Sequence, residues 1–431
     1  MMATGIPQKS KKITTSVSLN YYGKKTTSEI LHSPPAKLLE ITQNNSQNKL
    51  IYADNLPVLA NLAQDIAVAG KIRLIYIDPP FSTNTSFHSR KLDHAYDDVR
   101  VGEEFIEFLR ERIIFLHHLL AEDGSFYLHL DERMVFHFRI ILDEIFGAAN
   151  FRSCITRQKC HPKNYTKNSY GNIADYILFY TKSDNYVWNR PVELWTEEKI
   201  AKEYQYVETN TGRRYKKVPI HAPGIRYGET GKMWRGMSPP PGKHWQYTPD
   251  KLDELDAKGE IYWSATGNPR RKVYLDTNEG IPVQNIWLDL KDAYNQNVHT
   301  TGYPTEKNED ILKRIILASS HEGDLVLDCF SGSGTTLATA AQLNRHWIGI
   351  DNSLQAIATT IQRLKHGLKP IGDFVNRPSK DNTLSHQSLS LFTTEELQVL
   401  EPQRMNHPFS VFTSNDNLEC RTELYQLFSV A

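Results

Sequence analysis

Asp78-Pro79-Pro80-Phe81 closes an apolar run, Leu74-Ile75-Tyr76-Ile77. Four β-prone residues stopped by two prolines predict a buried strand with a rigid turn at its carboxyl end. A carboxylate, a fixed turn and an aromatic ring then stand at the edge where open α/β sheets hold their ligands. A hydrogen-bond acceptor beside a stacking surface suits a flat ring that carries an exocyclic amine. An aspartate capping a proline-rich turn is the alternative, and the four residues alone leave both readings open.

A second cluster lies some 250 residues further on. Leu325-Val326-Leu327-Asp328 predicts a short buried strand, and Cys329-Phe330-Ser331-Gly332-Ser333-Gly334-Thr335-Thr336 turns into a helix at about Leu337. His346 to Asp351 is a further strand, ending in an acid 19 residues after Gly332. That spacing is close to the roughly 20 residues at which an acidic side chain meets a ribose. The glycines let backbone approach a ligand. The loop lacks the third glycine of the dinucleotide fingerprint and the Gly-Lys-Ser/Thr of a P-loop. A nucleoside cofactor without a pyrophosphate fits it better, which points to S-adenosylmethionine. Asp328 and Asp351 could instead cap helices, and Asp54, after the short strand Leu50-Ile51-Tyr52, could be a turn residue.

These residues need a sheet to position them. Val58, Leu59, Leu62 and Ile66 recur at helical spacing after Asp54. Glu103 to Leu120 carries one apolar stripe, Ser125 to Leu130 is a buried strand, and Glu132 to Phe146 is a helix. Asp131 between them is expected to cap that helix. Strands alternating with helices of these lengths predict a parallel sheet with crossover helices. Five regions follow: an ill-ordered arm over 1–35, an α/β half over 36–150, an insert over 151–300, a second α/β half over 301–370 and a tail over 371–431.

The insert is turn-rich and holds six of the seven tryptophans. Residues 209–248 contain eight basic residues (Arg213, Arg214, Lys216, Lys217, Arg226, Lys232, Arg235 and Lys243) against Glu229 alone. Basic residues interleaved with aromatics suit a nucleic-acid surface, although a β-rich insert with a solvated basic face gives the same pattern. The whole chain has 431 residues, with 50 basic against 50 acidic, so no global field announces a polyanionic partner. Four cysteines without CxxC spacing predict neither a disulfide framework nor structural zinc. No run approaches the roughly 20 apolar residues of a membrane helix, and the expected setting is cytoplasmic.

Together, Asp78-Pro79-Pro80-Phe81 and Asp328-Cys329-Phe330-Ser331-Gly332-Ser333-Gly334-Thr335-Thr336 resemble the amino-group DNA methyltransferases. The order, with the acidic block first and the glycine loop last, is similar to the circularly permuted β class, which includes type III modification subunits. Tyr52-Ala53-Asp54-Asn55, the run Asp123 to Asp131, Tyr303-Pro304-Thr305-Glu306-Lys307, and the insert strings WRGMSPPPGKHW and KVYLDTNEGIPVQNIW also match. The resemblance covers about residues 48–365. It implies a Rossmann-like α/β methyltransferase fold, circularly permuted, with a mostly parallel sheet and a β-rich target-recognition insert. Departures are Asn308 and Cys329, where many relatives carry proline, and the chain is short for a type III modification subunit.

By the same resemblance, Asp78 and the Pro79 carbonyl accept hydrogen bonds from the exocyclic amine, Pro80 stiffens the turn, and Phe81 stacks on a base flipped out of the helix. Phe330, Ser331, Gly332, Gly334 and Thr335 wrap S-adenosylmethionine, Asp351 takes the ribose hydroxyls, and Asp54 takes the adenine amine. Asp328 is a further cofactor-binding residue, and Thr305 and Lys307 line the methionine side. Arg213, Arg214, Lys216, Lys217 and Arg235 are the candidate DNA contacts. No metal is implied. Duplex DNA is the implied partner, with a homodimer and a restriction subunit left open. Aspartate as the first residue of the motif leans toward adenine N6, where serine leans toward cytosine N4. Competing readings are a methyltransferase for RNA or protein glutamine, a silent DNA-binding subunit, and a nicotinamide enzyme.

Overall fold

The strand-forming runs of the sequence meet in one ten-stranded sheet in the computed structural model. It describes residues 17–42, 44, 46–80, 85–88, 94–98, 102–162, 168–277, 279–292, 307–367, 408–414 and 421–430. The strands run in the order Leu38–Glu40, Ser410–Ser414, Lys49–Tyr52, His346–Asp351, Leu325–Asp328, Ile72–Ile77, Leu120–Leu130, Ala174–Thr181, Phe151–Gln158, Ile286–Trp287. Pairing is parallel from Ser410–Ser414 through to Leu120–Leu130. Ala174–Thr181 is antiparallel to both of its neighbours. The expected mostly parallel, permuted α/β sheet is what forms.

The permutation has a direct structural meaning. Leu74 and Ile75 of one half pair with Val326 and Leu327 of the other, so strands about 250 residues apart lie side by side. From that seam the sheet is built outward in both directions, and such a switch point opens a crevice at the carboxyl ends of its strands. Alternation then assigns the faces. Ile75, Ile77, Phe126, Leu128, Leu327 and Ile348 share a core with the helices Asn55–Leu62, Gly102–Leu119 and Val135–Phe146. The helices Glu309–Ser319 and Thr335–Gln342 contact the central strands, and Tyr127 joins its hydroxyl to Ser319 at 2.7 Å.

Several boundaries differ from those read in the sequence. Residues 151–191 and 284–292, expected in the insert, carry three strands of the main sheet; the separate compact unit is Val192–Val283. The arm, from Val17 onward, is tied down. Thr26 and Glu29 form a capping box on helix Thr27–Leu31, Ile30 is buried, and Lys24 pairs with Glu144 at 2.7 Å. In the tail, Ser410–Ser414 is a strand between Leu38–Glu40 and Lys49–Tyr52, and Arg421–Val430 is a helix. Strand pairing between residues hundreds of positions apart leaves no local trace in composition. Ile66 is not in the Asn55–Leu62 helix and is exposed. Asp131 accepts from the Arg133 amide at 3.1 Å, in the turn ahead of the helix, and does not cap the helix itself.

The Val192–Val283 unit holds a four-stranded antiparallel sheet, ordered Tyr206–Val207, Arg214–Pro219, Pro269–Tyr274, Ile261–Trp263. Its own small core gathers Ile220, Trp234, Trp245, Leu252, Leu255 and Ile261. Trp234 and Trp263 stack there with centroids 5.3 Å apart. The tryptophans of this stretch are thus used in packing. No helix among the described residues is long and apolar enough to cross a membrane.

Candidate active site

Three neighbouring parallel strands bring acids to one edge of the sheet: Asp328 and Asp351 close their strands, and Asp78 follows Ile77 directly. Their surroundings differ. Asp328 is almost fully buried; it accepts from the Phe330 amide at 3.0 Å and from Thr336 Oγ1 at 2.6 Å. Burial pushes its carboxyl up to about 7, with the charges of Asp78 and Asp351 adding to the rise and those two hydrogen bonds opposing it. Asp351 accepts from the amides of Gly332 at 2.8 Å and Ser353 at 2.9 Å, and burial raises its pKa as well. The two acids therefore fix both ends of the glycine loop before any ligand arrives.

The loop itself is shaped by close packing. Gly334 has φ +73°, and a Cβ there would stand 2.7 Å from the Thr360 side chain. Thr335, expected to meet the cofactor, turns inward to Ser333 Oγ at 3.2 Å and Arg363 Nη1 at 2.9 Å. Thr336, to which the motif string alone assigns no role, holds Asp328 instead. Phe330 is half-buried, with its ring 6.2 Å from that of Phe108.

Asp54 caps helix Asn55–Leu62 through the Leu56 amide at 2.8 Å and also accepts from Arg112 Nη2 at 3.0 Å. Its carboxylate stays 57% exposed, so it is open to a further partner. Arg112 is buried. It donates to Asn55 Oδ1 and the Phe108 carbonyl, and its guanidinium lies 3.6 Å from the Phe108 ring centroid. Asn55 in turn donates to the Cys329 carbonyl at 2.7 Å. Arg112 and Asn55 thus couple the two halves of the site. Sequence reading missed both roles: Asn55 was legible only as the neighbour of Asp54, and Arg112 as one charge on an amphipathic helix.

Asp78 Oδ2 lies 3.1 Å from Lys307 Nζ, while Oδ1 is buried without a hydrogen-bond partner among the described residues. Pro79 is buried and Pro80 half-buried beside it. Phe81 and Thr305, named above for the base and the cofactor, lie outside the described residues. Behind Asp78 a polar chain crosses the antiparallel part of the sheet. Tyr76 OH meets His129 Nδ1 at 2.8 Å, His129 Nε2 lies 2.9 Å from Asp175, and Asp175 pairs with Arg157. Arg157 also donates to Asp292 at 2.8 Å and the Leu290 carbonyl at 3.0 Å. Burial works against ionised Asp175, but His129 and Arg157 beside it hold its pKa far below the usual carboxylate range. No group of His, Cys, Asp and Glu that could hold a metal occurs among the described residues.

In the insert unit most candidate DNA contacts already have partners. Arg213 grips Asp276 with two hydrogen bonds (2.7 and 2.9 Å) and stacks 3.8 Å over Tyr274. Lys216 meets Glu203 at 3.2 Å, and Arg235 meets Asp253 and Asp256. The Lys217 ammonium sits between Tyr206 and Tyr262, at 3.7 and 3.4 Å from the ring centroids. Arg214 is exposed. Lys216, Lys217, Arg270, Tyr206 and Tyr262 line a cleft of about 600 Å³.

An acidic strand edge at a switch point, facing a glycine loop with no phosphate cradle, defines a nucleoside-cofactor transferase of the α/β class. Comparison with known proteins gives the family. Residues 72–362 match the N6/N4 family of DNA methylases. The chain is 47% identical to the type II methyltransferase M.EcaI of Enterobacter cloacae, over 84% of this chain and 80% of that protein. It is 26% identical to the Mod subunit of the type III restriction-modification enzyme StyLTI of Salmonella typhimurium, over 70% of this chain and about half of that one. The solved M1.HpyAVI–SAM complex is similar at 16% identity and a TM-score of 0.38, covering 73% of this chain and 99% of that chain. This chain belongs to the N6/N4 family of S-adenosylmethionine-dependent DNA methylases.

The site's own atoms suit that cofactor. Ser331 Oγ is buried on the loop without a partner among the described residues, Asp54 keeps an open carboxylate, and Gly334 tolerates no side chain. A cationic sulfonium also suits an edge carrying three acids.

Proposed function

We propose that the protein methylates the exocyclic N6 of adenine in duplex DNA at a specific sequence, with the target base turned out of the helix. The observation that carries this reading is Asp78: one carboxylate oxygen is held, and the other is buried and, among the described residues, unpartnered beside the glycine loop. An amine conjugated to a purine ring is a poor nucleophile. Two acceptors, Asp78 Oδ1 and the Pro79 carbonyl, draw its hydrogens out of the ring plane and direct the nitrogen lone pair. Proline fixes that carbonyl through its locked φ, and Phe81 stacks on the base. Bound S-adenosylmethionine supplies an electrophilic methyl. Asp54 meets the adenine amine of the cofactor, Asp351 its ribose, and Phe330, Ser331, Gly332 and Gly334 surround the remainder. The Val192–Val283 unit holds the duplex. Arg214 and Lys217 lie on phosphates, while Arg213, Lys216 and Arg235 are held in carboxylate pairs and join only if those pairs open. Aspartate, not serine, at the first motif position supports adenine over cytosine.

The test is direct. Purified protein is incubated with unmethylated DNA and labelled S-adenosylmethionine, and the digested nucleosides are separated. Label in N6-methyladenine, reduced by about 10²–10³-fold in Asp78→Ala, is the expected result, as for loss of a transition-state hydrogen-bond partner. Label in N4-methylcytosine would replace the base assignment. Label that survives Asp78→Ala would remove the mechanism.

A further inference from the structure

Lys307, expected on the methionine side of the cofactor, is placed with its ammonium 3.1 Å from Asp78. It directly precedes Asn308, whose side chain accepts from the Asp310 amide at 2.9 Å and donates to the Lys291 carbonyl at 2.9 Å. Asn308 therefore caps helix Glu309–Ser319 and ties its start to the segment carrying Asp292. That anchoring fixes the backbone from which Lys307 reaches Asp78. Both side chains are largely buried, at 11% and 18% exposure. An ammonium taken out of water requires anions around it. Asp78 is in contact, and Asp292 and Asp175 add to the field while Arg157 opposes it. Burial disfavours the Lys307 charge, but those acids outweigh it and raise its pKa, so the ammonium is a permanent charge at neutral pH.

We propose that Lys307 is a positioning residue for Asp78: holding Oδ2, it presents Oδ1 to the target amine. The inference rests on the methylase reading above and deepens it. Lys307 is the cation in contact.

The test compares wild type with Lys307→Met and Lys307→Arg in single-turnover methylation of duplex DNA at saturating cofactor. Cofactor affinity is measured separately by calorimetry. In Lys307→Met the rate falls by about tenfold or more, as for a reacting group held slightly out of place. Cofactor affinity stays within about threefold, below the effect of one charge-assisted hydrogen bond. Lys307→Arg, which again holds Oδ2, recovers most of the rate. If Lys307→Met does not fold, Lys307→Ala carries the same expectation. A tenfold loss of cofactor affinity with the rate at saturation unchanged would assign Lys307 to the cofactor and overturn the proposal. So would an equal loss of rate in Lys307→Arg. Absence of transfer by the wild type would remove the methylase reading itself, and this inference with it.

Discussion

The sheet edge and the Val192–Val283 unit use charge in opposite ways. At the edge, Asp328, Asp351, Asp175, Arg157 and Lys307 are buried or nearly so, and each is fixed by backbone amides or by side chains on neighbouring strands. In the insert unit the candidate DNA-binding cations are more exposed, and Arg213, Lys216 and Arg235 are matched with nearby carboxylates. Buried charges are preorganised, costly to leave unpaired and insensitive to salt. Surface pairs contribute little to stability and exchange partners readily. The first arrangement suits chemistry, and the second suits a polyanion that competes for the same cations.

Breaking the buried chain should produce the largest effect. Arg157→Ala leaves Asp175, almost wholly buried, with His129 but without its guanidinium partner, and also strips donors from Asp292 and the Leu290 carbonyl. Removing one partner of a buried pair costs about 3–5 kcal/mol. Denaturant unfolding of the variant is expected to show that loss, with an unchanged m-value. Arg213→Ala in the insert, where the pair is exposed, is expected to leave the unfolding midpoint close to that of wild type. Equal losses in the two variants would erase the distinction.

How much of this could be read beforehand follows from the same contrast. The two acidic strand ends and the glycine loop were legible because each lies within a short run: an apolar strand, a breaker, then the functional residue. Their adjacency, Leu74 beside Val326, was legible only through the permuted order of familiar motifs. The partners were not legible. Lys307, Arg112 and Asn55 reach Asp78, Asp54 and Cys329 across tertiary distance, and nothing in their local sequence announces it. The same holds for Ser410–Ser414, a strand in the main sheet that reads as tail. In the insert, the basic run between 209 and 248 was plain, but which of its charges are already spoken for depends on register. Arg213 meets Asp276 because the Arg214–Pro219 and Pro269–Tyr274 strands pair, bringing their flanking residues together.

A smaller and pH-dependent effect is expected at Asp328. Its native pKa of about 7 lies above the ordinary value of 3.8, so the folded protein binds this proton more tightly than the unfolded chain does. Its contribution is therefore most favourable below about pH 4 and is lost as pH rises toward 7, by up to about 4 kcal/mol. The side-chain amide of the Asp328→Asn variant mimics the neutral acid and still accepts from the Phe330 amide. The difference in thermal stability between variant and wild type is expected to be small below about pH 4, to favour the variant increasingly up to about pH 7, and to level off above it. A difference independent of pH would mean that Asp328 is already ionised across this range.

The finest distinction lies within the insert, between neighbours of the same type. Arg214 is exposed, whereas Arg213 holds Asp276 with two hydrogen bonds above Tyr274. A guanidinium with no carboxylate partner among the described residues can condense onto a phosphate without first giving one up. Arg214→Ala is therefore expected to lower the slope of log affinity against log salt by about one, uniformly across DNA sequences. Arg213→Ala is expected to leave that slope near the wild-type value. Fluorescence anisotropy with a labelled duplex at several salt concentrations separates the two. Equal slopes for both variants, each reduced, would show that the Arg213–Asp276 pair opens on DNA. The surface pairs of the insert would then be a reserve of phosphate contacts, held on carboxylates until the polyanion displaces them.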